Sequence, residues 1–343
     1  MKNFWDGYPV IRRDLQHIQE IILDNVGQGE GELSQVIREY VGRGGKMLRP
    51  AFVLLAAYMK EPAGGRLVQS PAASVTGSRV SGRAIPDKIY RIAAAIEMLH
   101  MATLIHDDIL DDASIRRGRQ TLHRQIGPKA AVLIGDLLFS RCFSLVADCA
   151  TMESARRLAG SVSHICAGEI KQAQRINPAA LSERFYLHRV AEKTALLFLL
   201  SFHVGAHENG VNGSRLQVLR RVGYNVGMGF QIIDDLLDFT GSEQDLGKPV
   251  AGDLRQGVFT LPVIAALRRN GTELRELLEG DLADEKRREQ AVTLIRQYGG
   301  FDYARDRAHA YTNRALRAAG KLPAGDVRDA IIDVTSRLLT RSS

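Results

Sequence analysis

The chain has 343 residues, of which 45% are hydrophobic, 25% charged and 6% aromatic, enough apolar material for a large core, which excludes wholesale disorder. Lys and Arg number 46 against 39 Asp and Glu, a balance of +7. No dense basic run or stacking motif accompanies that charge, which argues against nucleic acid and leaves a small polyanion, such as a phosphorylated substrate, equally open.

Helical periodicity runs from end to end. Ile11, Leu15, Ile18 and Ile22 mark one face of a first helix. A second, Leu33 to Val41, ends at Gly42, Gly44 and Gly45, and Pro50 suits the first turn of a third, Ala51 to Met59, apolar all round and therefore buried. Long helices are predicted over Ile89–Asp112, Pro128–Ala150, Met152–Ile176, Leu181–His207 and Leu216–Phe239. Four shorter ones begin near Pro262, Ala283, Phe301 and Gly325. Strand-like alternation is nearly absent, so an all-α fold is expected. Residues 60–87, rich in Gly, Pro and Ser, form a loop that composition predicts to be disordered.

The start, with Lys2 and Asp6, lacks the apolar core of a signal peptide, and no run reaches 18 consecutive apolar residues. Three cysteines, Cys142, Cys149 and Cys166, sit in helical patterns without metal-ligand spacing, which fits buried thiols in a reducing cytoplasm. A soluble, cytoplasmic protein with no membrane span is expected.

Two acidic clusters share one spacing: Asp107-Asp108-Ile109-Leu110-Asp111-Asp112 and Asp234-Asp235-Leu236-Leu237-Asp238. In a helix, positions i and i+4 share a face, so Asp107 meets Asp111 and Asp234 meets Asp238. Each like-charge pair costs an isolated helix roughly 0.2–0.5 kcal/mol, and more where an apolar helix limits solvation. A single cluster would pass for a solvated helix end; two on apolar helices indicate a purpose. Hard carboxylate oxygens suit Mg²⁺, which takes one or two carboxylates together with substrate phosphates. Cations complete an anion site: Lys46 and Arg49 after Gly44-Gly45, then Arg116-Arg117 beyond the first pentad. Lys193-Thr194 interrupts an apolar run, and Gln231 sits one turn before Asp234.

The segments GGKMLRP, EMLHMATLIHDDILDDASIRRG, GEIKQ, EKTALLF, GMGFQIIDDLLD, LGKPVAGDL and TLP resemble those of the trans-isoprenyl diphosphate synthases, the polyprenyl synthetase family. The opening FWDGYP and the tail Lys321-Leu322-Pro323 are similar to its long-chain branch. The resemblance implies a single domain over residues 1–343, an antiparallel helix bundle around a deep central cavity. It implies that Asp107, Asp108, Asp111, Asp234 and Asp238 hold about three Mg²⁺ ions, with Asp235 completing the catalytic motif. Arg116, Lys193, Thr194, Gln231 and Lys248 would meet an allylic diphosphate such as farnesyl diphosphate, and Lys46, Arg49, His100 and Arg117 isopentenyl diphosphate. It further implies a homodimer, and release of an apolar product by transient contact with a membrane.

One departure stands out: Val258 occupies the place two residues before Thr260 where many relatives have lysine. A heteromer is the alternative assembly that this raises. Small side chains at Ala102 and Thr103, with Leu99 and Ile96 roughly 12 and 16 Å below Asp107 along the helix, leave the way open for a product beyond C20. A class I terpene cyclase is the competing enzyme reading, but it would carry a different second metal motif and need no Lys46 and Arg49. A non-catalytic partner subunit would have lost motif aspartates.

Overall fold

The computed structural model describes residues 4–26, 32–42, 45–60, 85–116, 118–173, 182–241, 251–269 and 271–339. Most of the expected loop at 60–87 therefore lies outside the described residues, as do Arg117 and Lys248.

The described chain is almost wholly helical. In order come α1 (Pro9–Val26), α2 (Glu32–Gly42), α3 (Leu48–Ala57) and α4 (Asp87–Leu110). A hairpin of two-residue strands follows, β1 (Ile115–Arg116) and β2 (Arg119–Gln120), antiparallel with Arg116 opposite Arg119. Next are α5 (Leu122–Ile126), α6 (Pro128–Cys149), α7 (Met152–Ala173) and α8 (Glu183–Val190). A π-helical turn (Ala191–Ala195) leads into α9 (Leu196–Glu208) and then α10 (Gly213–Thr240). The tail holds α11 (Gly252–Arg255), α12 (Leu261–Arg269), α13 (Gly271–Leu278), α14 (Glu285–Gln297), α15 (Gly300–Ala319) and α16 (Asp326–Leu339). The hairpin, α5, α11 and α13 were not expected from periodicity, because two to eight residues give it too few repeats to register. The helix expected over Leu181–His207 is divided by the π turn.

One apolar core runs from Trp5 to Leu339. Helix α3 lies at its centre: Ala51 through Ala57 are fully buried, and burying Phe52, Val53, Leu54 and Leu55 stabilises the fold by about 1.5–3 kcal/mol each. Two glycines set how close the central helices come. A Cβ on Gly205 would lie 2.0 Å from the Val53 carbonyl oxygen, so α9 touches the α3 backbone directly. On α10, a Cβ on Gly227 would lie 2.5 Å from the Ala195 Cα, so α10 presses on the π turn. That approach carries Gln231, one turn further along α10, to Thr194.

Helix α6 buries Ala131, Ile134, Leu138, Cys142 and Leu145 and packs against α4. By length and composition alone it is apolar enough to cross a membrane, which the count of consecutive apolar residues did not register; a single such helix is equally the core helix of a soluble protein.

Candidate active site

Both pentads fall at helix C-termini. Asp107 and Asp108 occupy the last turn of α4 and Asp111 caps it, its N–H donating to the Asp107 carbonyl at 2.9 Å. Asp234, Asp235 and Asp238 lie in the last two turns of α10. A helix C-terminus carries partial negative charge, so carboxylates there are disfavoured unless cations compensate them.

The two ends face one cavity of about 690 Å³. Asp107, Asp111 and Asp234 line it. Lys46, Arg49, His100 and Arg116 line it from the side of α3 and α4, and Lys193, Thr194 and Gln231 from the side of the π turn and α10. Ten of the residues named from sequence thus meet in one space, although they span nearly 190 positions of chain.

The remaining aspartates do not line that cavity itself, although Asp108 and Asp235 line smaller spaces that adjoin it. Asp108 is buried and accepts from Arg116 Nε at 2.5 Å. Asp235 is buried, accepting from Tyr186 Oη at 2.6 Å and from Gln231 Nε2 at 2.8 Å. Asp238 Oδ2 accepts the Asp253 N–H at 3.1 Å, which ties α11 to α10. Gln256 Nε2 reaches the Asp111 carbonyl at 3.3 Å and brings the same segment to the end of α4.

Lys193 stands between the clusters, its Nζ 3.7 Å from Asp107 and 2.8 Å from Glu169 on α7. Burial pushes its pKa down, but Asp107 and Glu169 outweigh burial and the ammonium titrates above its usual value. Burial pushes Asp107 up to about 6, against the pull of Lys193 and with the push of Glu169 and Asp111. Asp108 is raised for the same first reason, against Arg116. A run of hydrogen bonds orients the polar wall: Thr194 Oγ1 donates to Gln231 Oε1 at 2.6 Å, and Gln231 in turn donates to Asp235. On the opposite wall Arg49 stacks over Phe198, 4.7 Å to the ring centre, and Trp5 Nε1 fixes the Lys46 carbonyl at 2.6 Å. Met47 adopts φ 44, which turns the chain between Lys46 and Arg49.

The donor set fits a hard divalent cation. Three carboxylates from two helix ends share one cavity, the fields of both helices and burial oppose their charge, and oxygen is the ligand that Mg²⁺ and Ca²⁺ take.

Four cavity groups had no assigned part in the sequence reading. Glu97 and Asp253 line the main cavity, and Glu169 pairs with Lys193. Arg189, on α8, lines a side cavity of about 130 Å³ with Val258, and that space shares Asp111, Lys193, Gln231 and Asp253 with the main one. Glu169 and Asp253 sit inside GEIKQ and LGKPVAGDL, where an acidic residue near a required cation was the available signal. Arg189 carried none.

An all-helical cup whose acidic helix ends face lysine and arginine defines a class of enzyme that handles phosphorylated substrates with divalent ions. Residues 30–295 match the polyprenyl synthetase family model. The chain is 33% identical to the all-trans-nonaprenyl-diphosphate synthase (geranyl-diphosphate specific) of Rhodobacter capsulatus, over 96% of each chain. It is 32% identical to heptaprenyl diphosphate synthase component 2 of Geobacillus stearothermophilus, over 95% of each. The crystal structure of a polyprenyl synthase from Caulobacter crescentus, complexed with calcium and isoprenyl diphosphate, superposes with a TM-score of 0.85 at 30% identity, over 98% of this chain and 97% of that one. The chain belongs to the polyprenyl synthetase family and is a trans-prenyltransferase.

Proposed function

We propose that this enzyme condenses isopentenyl diphosphate with an allylic diphosphate, such as farnesyl diphosphate, to make an all-trans polyprenyl diphosphate longer than C20. The observation that carries this is the single cavity on which Asp107, Asp111 and Asp234 converge with Lys46, Arg49, Lys193 and Gln231. The long-chain products named for the Rhodobacter and Geobacillus relatives support the length.

Each residue's part follows from its place. Asp107, Asp111 and Asp234, with Asp108 and Asp238 behind them, would hold about three Mg²⁺ ions, which would neutralise negative charge as the allylic C–O bond ionises. Lys193, Arg116 and Gln231 hold the allylic diphosphate. Lys46, Arg49 and His100 hold isopentenyl diphosphate on the other wall, with Arg117 and Lys248 assigned by sequence alone. Thr194 and Gln231, locked to each other and to Asp235, present fixed dipoles to the allylic cation. Asp235 acts through Gln231 and Tyr186 and is a positioning residue. Phe230 and Leu197 line the same cavity and exclude the water that would quench that cation. The positive charge missing at Val258 is supplied by Arg189, which Phe259 anchors through its carbonyl at 3.2 Å.

The growing chain descends past Thr103, which lines the cavity, toward Ala102, Leu99 and Ile96, which are buried below it. We read residues 1–343 as one domain acting in the cytoplasm. A second copy covers the apolar side chains that α6 and α7 leave exposed, Leu133, Phe143 and Ile170 among them; the two-component Geobacillus synthase supports a heteromer as the alternative.

The test is incubation of the purified chain with Mg²⁺, farnesyl diphosphate and labelled isopentenyl diphosphate, beside Asp107→Asn, followed by chromatography of the dephosphorylated products. Products beyond C20 are expected, shortened by Thr103→Phe or Ala102→Phe. No elongation, alone or with candidate partner subunits, would overturn the assignment; an unchanged product length in both Phe variants would overturn the path.

A further inference from the structure

A second cluster of metal-ligating side chains lies away from the aspartates. His203 and His207 occupy positions i and i+4 of α9 and so share one face. Their rings stack, centres 5.4 Å apart and planes within 9°. Glu153, in the first turn of α7, faces both: Oε1 is 3.9 Å from His203 Nε2 and Oε2 is 3.7 Å from His207 Nε2. One ligand atom from each of the three falls within 4.8 Å of the others. Along the helix His203 lies ten residues beyond Lys193, about 15 Å from the diphosphate cavity.

His203 is the telling member. It is 1% exposed, and neither ring nitrogen has a hydrogen-bond partner. A buried polar group without a partner costs roughly 1–3 kcal/mol. Burial, with Arg157 and Arg220 nearby, pushes its pKa down to about 4, which leaves the imidazole neutral and its lone pair available. Arg157 donates twice to Glu153 Oε1, at 2.9 and 3.0 Å. That leaves Oε2 turned to His207 and fixes the carboxylate, as outer partners of metal ligands do.

We propose that Glu153, His203 and His207 bind a borderline transition-metal ion of the Zn²⁺ or Co²⁺ class. Two imidazoles and a carboxylate are a ligand set that zinc takes with one position left open, and imidazole disfavours Mg²⁺ and Ca²⁺. Bonds of about 2.0 Å at the tetrahedral angle place ligand atoms roughly 3.3 Å apart, so the trio closes by side-chain movement alone. Such an ion clips the start of α7 to the end of α9. These two helices supply Ile165 and Leu197 to the walls of the prenyl cavity, and the clip fastens them at the base. The site stands whether or not the aspartates act as proposed.

The test is a Co²⁺ titration of the full chain in excess Mg²⁺, followed by visible d–d absorption. One Co²⁺ per chain is expected to bind with the strong absorption of a four-coordinate site containing nitrogen, and Zn²⁺ should displace it. Glu153→Gln and His207→Gln, both at partly exposed positions, should weaken binding by roughly tenfold or more while prenyl transfer persists. The paired variant Asp107→Asn, Asp234→Asn should keep the absorption and lose prenyl transfer. Absence of the absorption, or its loss in the aspartate variant with retention in His207→Gln, would overturn the site.

Discussion

The mouth and the base of the bundle both bury carboxylates, and treat them in opposite ways. At the mouth, Asp107 sits at the C-terminus of α4, and burial outweighs Lys193 to raise its pKa to about 6. At the base, the Glu208 side chain is 0% exposed against 17% for Asp107, yet its pKa is held down to about 2. Burial raises that pKa too, but bonds from Ser154, Thr151 and Lys88 win. The carboxylate takes the N–H and hydroxyl of Thr151, at 2.9 and 2.6 Å, where α7 begins, and Lys88 Nζ at 2.9 Å. A helix N-terminus welcomes negative charge as a C-terminus repels it. The base is a finished ion site; the mouth is one whose counter-charge arrives with its substrates.

The largest effect that would break this contrast belongs to Asp107. Asp107→Asn should lower turnover by roughly 10²–10³-fold, the loss typical of one preorganised charge-stabilising group, and should leave the melting temperature unchanged or raised, since it removes a disfavoured charge. A large fall in melting temperature would mean that Asp107 is structural.

Glu208→Gln should do the reverse, costing roughly 3 kcal/mol of stability in denaturant titration, since hydrogen bonds to a charged group contribute about 1.5–3 each, with the chemistry little changed below the melting point. The sign with pH follows from the depressed pKa: the unfolded chain binds the proton more readily, so this contribution is present above about 4.5 and is lost as pH falls toward about 2. The wild type should therefore lose more stability across that window than the variant; equal losses would refute the assignment.

Tyr186→Phe sharpens the contrast inside the mouth itself. Asp235 belongs to the second pentad by sequence and is hydrogen-bonded by Tyr186 and Gln231 much as Glu208 is by its partners, yet burial outweighs those bonds and raises its pKa. Removing the hydroxyl should cost roughly 1–2 kcal/mol of stability and lower turnover far less than Asp107→Asn. Smallest is Arg189→Gln, expected to raise KM for the allylic substrate roughly two- to fivefold, the range of one part-exposed ion pair, with kcat nearly unchanged. No change in KM would mean that Arg189 does not stand in for the charge missing at Val258.

Most of the helices were legible because apolar spacing at i, i+4 and i+7 survives over about three turns or more, as in Ile11 to Ile22. The two pentads were legible because like charges on apolar helices conflict with folding and so call for a cation. Spacing could not say which oxygens face the cavity. Asp107 and Asp234 hold equivalent places in their pentads, and so do Asp111 and Asp238, yet Asp111 lines the cavity and Asp238 is taken by the Asp253 N–H. That outcome depends on α11, fourteen residues and more beyond Asp238, and on Tyr186 from α8. Arg189 escaped notice for the same reason, since it reaches the site only through how α8 packs.

The π turn at Ala191–Ala195 has a consequence for any attempt to shorten this chain. A π turn spends one more residue than an α turn on the same advance. Deleting a single residue from it would let α8 and α9 fuse into one continuous α-helix with α9 kept nearly in phase, while the residues inside the turn lose their placement. Lys193, inside the turn, would lose its bearing on Asp107, while His203, beyond it, would keep its bearing on Glu153. The extra residue thus serves the mouth alone, and a one-residue deletion here is expected to disable the diphosphate site while leaving the packing of α9 intact.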